Sequence, residues 1–466
     1  MELLFAIAAI TLAAWLFYFA LRGSLLAGCL TFLLTATCFG YPFAHFDLGP
    51  FPATVDRLLI AGLAAIYLVQ RRLGLTDPKP LEIVDKLLLA FLAVLTISTF
   101  AHNWQDKPPC GVPPVWQLVT GYLMPACVYW IARQSRLTQR NVAFVHGALA
   151  CFGVYLAITG LAEVSRQWWL VFPSYIADPS VGLHFGRARG PMVQAVSYGF
   201  FLGVTLLAGY VWRSRWSRLG QLIWLTIAGV EIAAIVATYT RSVWMGTALA
   251  VMVALAVSLR GAWRPLVLGS LISAALVFCV VKLDSLANLQ REGSATEARE
   301  SADMRASFAY VSWQMFLDRP ILGFGFGQFY REKLPYLSDR TTPLQLESIR
   351  DFIHHNTYLS LLTETGLVGL ALYLAVLGGF ARRGWRLVRD DNPRWMCGHG
   401  ILLLGTLATY AVQMMFHEVS YTAIDNSLLM LIAGIAVGLP ARRRDEAGDS
   451  AAIRKVNERE LAIAGS

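Results

Sequence analysis

Charge is scarce in this sequence. Of 466 residues only 15% are charged and 56% are hydrophobic, with a mean hydropathy of +0.53, values that exclude an ordinary water-soluble domain. There is no internal repeat at solenoid spacing and no pair of matching broken helices in the two halves, so the main sequence sign of an inverted-repeat transporter is missing. The seven cysteines are Cys29, Cys38, Cys110, Cys127, Cys151, Cys279 and Cys397. No two have the short spacing of a metal site or redox pair, and only Cys110 falls in a loop, so neither disulfide nor zinc is expected. The opening MELLFAIAAITLAAWLFYFALRG lacks the basic start and the small-residue cleavage site of a signal peptide and reads as a retained first span. The formal charge of +9 is spread over short loops rather than gathered into one stripe or arm, which argues against a nucleic-acid partner.

Long apolar runs are abundant. A spanning helix takes about 20 apolar residues, and such runs recur from Leu3 to Leu439 with one long polar interruption. The expected fold class is an all-α polytopic membrane protein of 12 or 13 spans, at roughly 3–21, 24–40, 53–70, 86–101, 114–132, 141–163, 191–212, 219–239, 242–259, 264–282, 356–381, 398–416 and 420–439. Arginine and lysine cluster in alternate loops, at Arg71, Arg72 and Lys79, at Arg133, Arg136 and Arg140, at Arg213, Arg215 and Arg218, at Arg382, Arg383, Arg386 and Arg389, and at Arg442, Arg443 and Arg444. The positive-inside rule makes these loops cytoplasmic and sends the complementary segments, 283–355 among them, to the periplasm. Four divisions follow: a transmembrane bundle over 1–282, a large periplasmic loop over 283–355, C-terminal helices over 356–439, and a solvated cytoplasmic tail over 440–466.

The segment 283–355 is too long for a connector. Within it Met304, Phe308, Val311 and Met315 recur at helical spacing and Pro320 supplies a stop, which reads as an amphipathic helix, in the blandest view one lying on the membrane surface. The glycines of GFGFGQF, Gly323, Gly325 and Gly327, allow either a phosphate cradle or a tight turn back toward the membrane; without a Lys-Ser/Thr pair the turn is favoured. The loop ends in HHNTYLSLLTETGLVG, with His354 and His355 at the start of the next span. A continuous helix from His355 would put Gly366 and Gly369 on its stripe and let a neighbouring helix pack closely beneath the histidine.

Four arginines share that side: Arg187 and Arg189 in HFGRARGP, Arg241 in ATYTRSVWMG, and Arg305. Arg241 stands between two apolar segments with almost no loop to solvate it, so an anion should be near it, either a carboxylate such as Glu163 or Glu231 or a phosphate. Arginine suits a diphosphate because its planar guanidinium donates parallel hydrogen bonds and stays charged. No Asp-x-Asp pair or His/Cys cluster with metal spacing occurs in the outer loops, so neither metal nor other cofactor is expected.

This pattern resembles the O-antigen ligase and polymerase superfamily, bacterial membrane enzymes that use undecaprenyl-diphosphate-linked sugars. The resemblance covers about Arg187 to Leu439. It is carried by His355-Asn356 followed by Gly366 and Gly369, by the Thr-Arg-Ser that opens a span at Arg241, by Arg305 ahead of a Trp-containing helix, and by Pro320 before GFGFG. It implies a GT-C-like helical bundle in the bacterial inner membrane, with Arg241 and Arg305, and Arg187 or Arg189, on the diphosphate of the lipid carrier, His355 as the base, and Asn356, Gly366 and Gly369 in support. The expected reaction is inverting, metal-independent glycosyl transfer at the periplasmic face. The glycan leaves undecaprenyl diphosphate for an acceptor sugar, either lipid A-core (ligase) or another glycan (polymerase). Neither Arg187 nor Arg189 has the arginine-ten-residue-glycine spacing associated with the polymerase branch, which tilts the reading to ligase. A non-enzymatic translocator of lipid-linked glycan is a further alternative, although few intramembrane charges are present to line a polar path.

Overall fold

The computed structural model describes residues 23–40, 43, 45–48, 51–109, 111–213, 217–259, 261, 264–267, 269–270, 295–389 and 391–440. The expected spans at 3–21 and, apart from a few residues, 264–282, the tail after Pro440, and Cys110 and Cys279 lie outside them. The other eleven expected spans are all helices. In chain order these are α1 (Leu25–Cys38), α2 (Val55–Arg72), α3 (Ile83–Phe100), α4 (Pro114–Arg133), α5 (Gln139–Val164), α6 (Ala195–Trp212), α7 (Arg218–Val236) and α8 (Arg241–Ser258). After the loop helix α9 (Ala295–Asp318) come α10 (Thr357–Arg389), α11 (Arg394–Phe416) and α12 (Ala423–Gly438). A two-stranded hairpin, His45–Leu48 against Phe51–Thr54, precedes α2. Eight of these helices are long and apolar enough to cross a membrane, and α1 and α12 are shorter apolar helices. The chain is an all-α polytopic membrane protein.

Burial follows composition. In α12 nearly every residue from Asp425 to Gly438 is buried, as expected of a helix that is apolar all round, and α4, α10 and α11 pack against it. The peripheral α7 buries only Ala228, Glu231, Ala234 and Ile235, one stripe at helical spacing, directed at α5 and α6. Two helices are broken. Pro125 has no N–H to give the carbonyl of Gly121 four residues earlier; α4 forms a π-turn over Val119–Leu123, and Asn426 Nδ2 of α12 donates to the orphaned Gly121 carbonyl at 2.7 Å. In α10 Gly366 has φ 63° and ψ −163°, a region essentially closed to residues with a Cβ.

The break at Gly366 docks the glycine loop. Phe324 N and Gly325 N donate to the carbonyls of Thr363 and Glu364, both at 2.9 Å, while Leu367 N and Val368 N donate to those of Pro320 and Ile321 at 2.9 and 3.3 Å. A Cβ on Gly366 would lie 2.2 Å from the Ile321 carbonyl oxygen. The expectation that a neighbouring helix packs against Gly366 and Gly369 is therefore corrected. The partner of Gly366 is the 320–325 loop, and a Cβ on Gly369 would meet Thr365 of its own helix. A helix interrupted at Gly366 does not carry one stripe from His355 to Gly369.

The expected amphipathic helix is α9, but its stripe does not face lipid. Phe308, Val311 and Met315 are buried with Phe324, Phe329, Leu337, Leu346 and Ile349, and Met304 packs against them. The stretch from α9 to Ile349 has this small core of its own, and the opposite face of α9 exposes Trp313 and Leu317.

Candidate functional site

His355 stands on the short stretch between the loop core and α10. Two anchors fix that stretch. The buried Lys333 Nζ donates to the carbonyls of Ile349 (2.6 Å) and Phe352. On the other side Asn356 Oδ1 accepts from Leu359 N at 3.0 Å and caps α10, while its Nδ2 donates to the Met415 carbonyl at 2.9 Å. Thr357 Oγ1 donates to the His417 carbonyl at 2.7 Å and accepts from Val419 N at 3.0 Å. The start of α10 is thus stitched to the end of α11.

The two adjacent histidines part company. His354 is buried between Phe308 and Phe329, and its Nε2 lies 3.0 Å from Ser312 Oγ. Ser312 Oγ itself donates to the Phe308 carbonyl, so the network assigns the His354 proton to Nε2. Burial holds this imidazole well below its ordinary pKa, helped by His355 and Lys333; it is a neutral piece of the loop core. His355 instead keeps an exposed edge, with Phe308 and Phe352 against its ring. Its Nδ1 is 3.1 Å from the His354 carbonyl, which assigns the proton to Nδ1 and leaves the Nε2 lone pair as the basic atom. Partial desolvation, then the charges of Arg305 and Lys333, lower its pKa below the usual imidazole value against the raising effect of the His354 carbonyl.

Arg305 projects from α9 with its guanidinium carbon 5.7 Å from the centroid of Phe416. The next residue, His417, is pushed down to about 3, first by burial and then by His355, Arg305 and His184. These influences place His184, Arg305, His355 and His417 in one electrostatic neighbourhood. Arg187 follows His184 in the same loop, and Ala188 N donates to the Ala237 carbonyl at 3.0 Å, tying that loop to the turn before α8. Arg241 opens α8. Thr409 Oγ1 donates to the Gly246 carbonyl at 3.1 Å, and Gly405 lies against the Ala250 carbonyl, so α8 and α11 run antiparallel. Five residues back from Gly246 is Arg241 and five beyond Thr409 is Met414, which sets Arg241 level with the end of α11 that carries Phe416 and His417.

Arg189 is the candidate that the structure removes from the substrate-binding set. It is fully buried, its Nε donates to Glu163 Oε1 at 2.8 Å, and its two terminal nitrogens donate to the carbonyls of Val181 and Ile176, both at 2.9 Å. The Glu163 carboxylate also accepts from the backbone of Arg189 and Gly190. Arg189 and Glu163 lock the 176–190 loop, and Arg187 is left as the arginine of that loop that is not enclosed. Glu163 is thereby the partner of Arg189, and the Glu231 carboxyl is housed at Gly153 between α5 and α6. The glycine loop is a turn, since the amides of Gly323, Phe324, Gly325 and Phe326 go to Arg319, Thr363, Glu364 and Ser98.

His417, His184 and Lys333 were not singled out from the sequence. The signal for His417 is its position as a histidine at the end of a span, in a short loop, 417–423, expected on the same side as His355. Lys333 carried none, because a lysine in a polar loop reads as solvated. Among the described residues no three His, Cys, Asp or Glu side chains are grouped to hold a metal ion.

The helical bundle defines a polytopic membrane protein, with His355 and candidate arginines toward one end of it. Residues 224–374 match the model of the O-antigen ligase family, Wzy_C. The match supports the O-antigen ligase-like superfamily and, in general, a ligase- or polymerase-type function acting on lipid-linked glycan and acceptor sugar. It contains Arg241, Arg305, His355, Asn356, Gly366 and Gly369 and excludes Arg187 and Arg189. A comparison with curated proteins gives no match.

Proposed function

We propose that the protein is an inverting glycosyltransferase of the inner membrane. It moves a glycan from undecaprenyl diphosphate to a sugar hydroxyl at the periplasmic face, with lipid A-core as the acceptor. The observation that supports the reading is His355 within the family-matched segment: it is exposed, its Nδ1 is 3.1 Å from the His354 carbonyl so that Nε2 is the free lone pair, and Arg305 is close enough to act on its charge.

In this reading His355 Nε2 takes the proton of the acceptor hydroxyl as its oxygen attacks the anomeric carbon. The bond from that carbon to the diphosphate oxygen breaks, and the lipid diphosphate departs with the electron pair. The proton on the imidazole then passes to water. Arg305, Arg241 and Arg187 face the charge that grows on the leaving diphosphate, which needs no dedicated acid because it is already a good leaving group. Arg189 contributes by holding Arg187's loop. The depressed pKa of His355 keeps it neutral at working pH, at the cost of some basicity.

The test is purified protein supplied with undecaprenyl-diphosphate-linked glycan and either lipid A-core or further donor, in EDTA. Transfer to lipid A-core, reduced about 10²- to 10³-fold in His355→Ala and in Arg241→Ala, is the expected result. Elongation of the donor instead identifies a polymerase, and undiminished transfer in both variants removes the site.

A further inference from the structure

The end of the bundle opposite His355 holds a crevice of about 1030 Å³ between the start of α3, the last turns of α10 and the end of α12. Its inner wall is structural. Arg133 pairs with Asp85 at 2.8 Å and donates to the carbonyls of Lys79 and Pro80. Arg383 donates to the carbonyls of Ala436, Val437 and Leu439, satisfying the end of α12. Asp77 bridges to Lys79 at 3.5 Å, and Glu82, whose backbone N–H donates to Asp85 at the start of α3, sets its carboxylate against the charge of Arg383.

Three cations of the lining remain. Lys86, Arg382 and Arg386 are exposed and form no ion pair among the described residues. On α10 the positions 375, 379, 382 and 386 fall on one stripe at about 100° per residue, and the stripe changes along the axis from Ala375 and Gly379 to Arg382 and Arg386. Beside it Ile83 and Leu87 of α3 give an apolar border, and a Cβ on Gly378 would meet nothing within 4 Å. The crevice is therefore cationic at its mouth and apolar and open along its floor, at the depth where α10 passes from apolar to charged residues. Directly after Pro440, which also lines it, the sequence continues Ala-Arg-Arg-Arg.

We propose that this crevice binds an anionic phospholipid of the surrounding leaflet, with its phosphate among Lys86, Arg382 and Arg386 and an acyl chain along Leu87, Ala375 and Gly378. Basic pockets between membrane helices suit such headgroups, and the apolar floor selects a lipid over a free phosphate, which has nothing to lay there. The site is independent of the glycan-transfer reading.

Native mass spectrometry of the full-length protein, exchanged into equal phosphatidylglycerol and phosphatidylcholine, tests it. Phosphatidylglycerol should be retained at least about tenfold over phosphatidylcholine, and excess inorganic phosphate should not displace it. The preference should vanish in the triple variant Lys86→Gln, Arg382→Gln, Arg386→Gln and persist when the two arginines become lysine. Gly378→Leu, which fills the floor and leaves the charges, should also lose the lipid. Equal retention of both lipids, displacement by phosphate, or undiminished retention in the triple variant and Gly378→Leu would overturn the proposal. So would a photo-crosslinker at Ala375 that captures residues 441–466 of the chain in place of lipid.

Discussion

At His355 the informative contact is the 3.1 Å from Nδ1 to the His354 carbonyl, because it decides which nitrogen is basic. Burial, and after it the neighbouring cations, sets when it is basic. Burial and the charges of Arg305 and Lys333 lower the His355 pKa, so the unprotonated form persists to lower pH than for a free imidazole. The acid limb of the transfer rate should have its midpoint below about pH 6.5, the ordinary histidine value. Arg305→Gln removes one of those positive charges and should move the midpoint upward, toward that value, besides slowing the reaction. A pH–rate profile of both proteins checks this, and a limb that stays put in Arg305→Gln would separate the two residues. Arg187 and Arg189 offer a sharper contrast, since they are two residues apart. Arg189→Ala strands the buried Glu163 and should cost about 3–5 kcal/mol of stability, seen as a lower unfolding midpoint in detergent. Arg187→Ala should leave that midpoint nearly unchanged and reduce transfer. The sequence offered both arginines on equal terms because charge and spacing say nothing of which guanidinium finds a buried carboxylate.

The elements show why some features were legible and others were not. Helix existence followed directly from apolar runs, and Met304, Phe308, Val311 and Met315 correctly announced α9. What the stripe packs against was not legible, because a helix periodicity gives a face and not its partner. The same stripe suits lipid or the core built by Phe324, Phe329, Leu337 and Ile349. Gly366 was read as a contact glycine in a continuous helix, whereas its positive φ makes it the break that exchanges four backbone hydrogen bonds with residues 320–325. Gly366→Ala should therefore cost about 1–3 kcal/mol from backbone strain alone, and more as its Cβ drives Ile321 away. Hydrogen exchange should accelerate at the amides of Phe324, Gly325, Leu367 and Val368 together, whereas a change confined to Leu367 and Val368 would show that the loop docks without the break.

Across the whole molecule the two ends of the bundle carry different sets of charged groups, divided as the alternating loop charges divide them. One end holds His184, Arg187, Arg241, Arg305, His355 and His417. The other holds Arg133, Arg382, Arg383 and Arg386, with arginines spent on helix carbonyls and on one buried pair. In the short loops positive charge is concentrated at the second end, at Arg71, Arg72, Lys79, Arg133, Arg136, Arg140, Arg382, Arg383, Arg386 and Arg389, and the positive-inside rule, which counts short loops, turns that imbalance into an orientation. Arg340 and Asp391 are exposed, in the loop between α9 and α10 and in the α10–α11 turn, so they report the two sides without touching the site. In a background with the native cysteines replaced, Arg340→Cys should react with a membrane-impermeant maleimide in cells whose outer membrane alone is permeabilised. Asp391→Cys should react only after the inner membrane is opened. The reverse pattern would place His355 in the cytoplasm, where the proposed periplasmic acceptor cannot reach it, and the glycan-transfer reading would then need an acceptor made on the inner side.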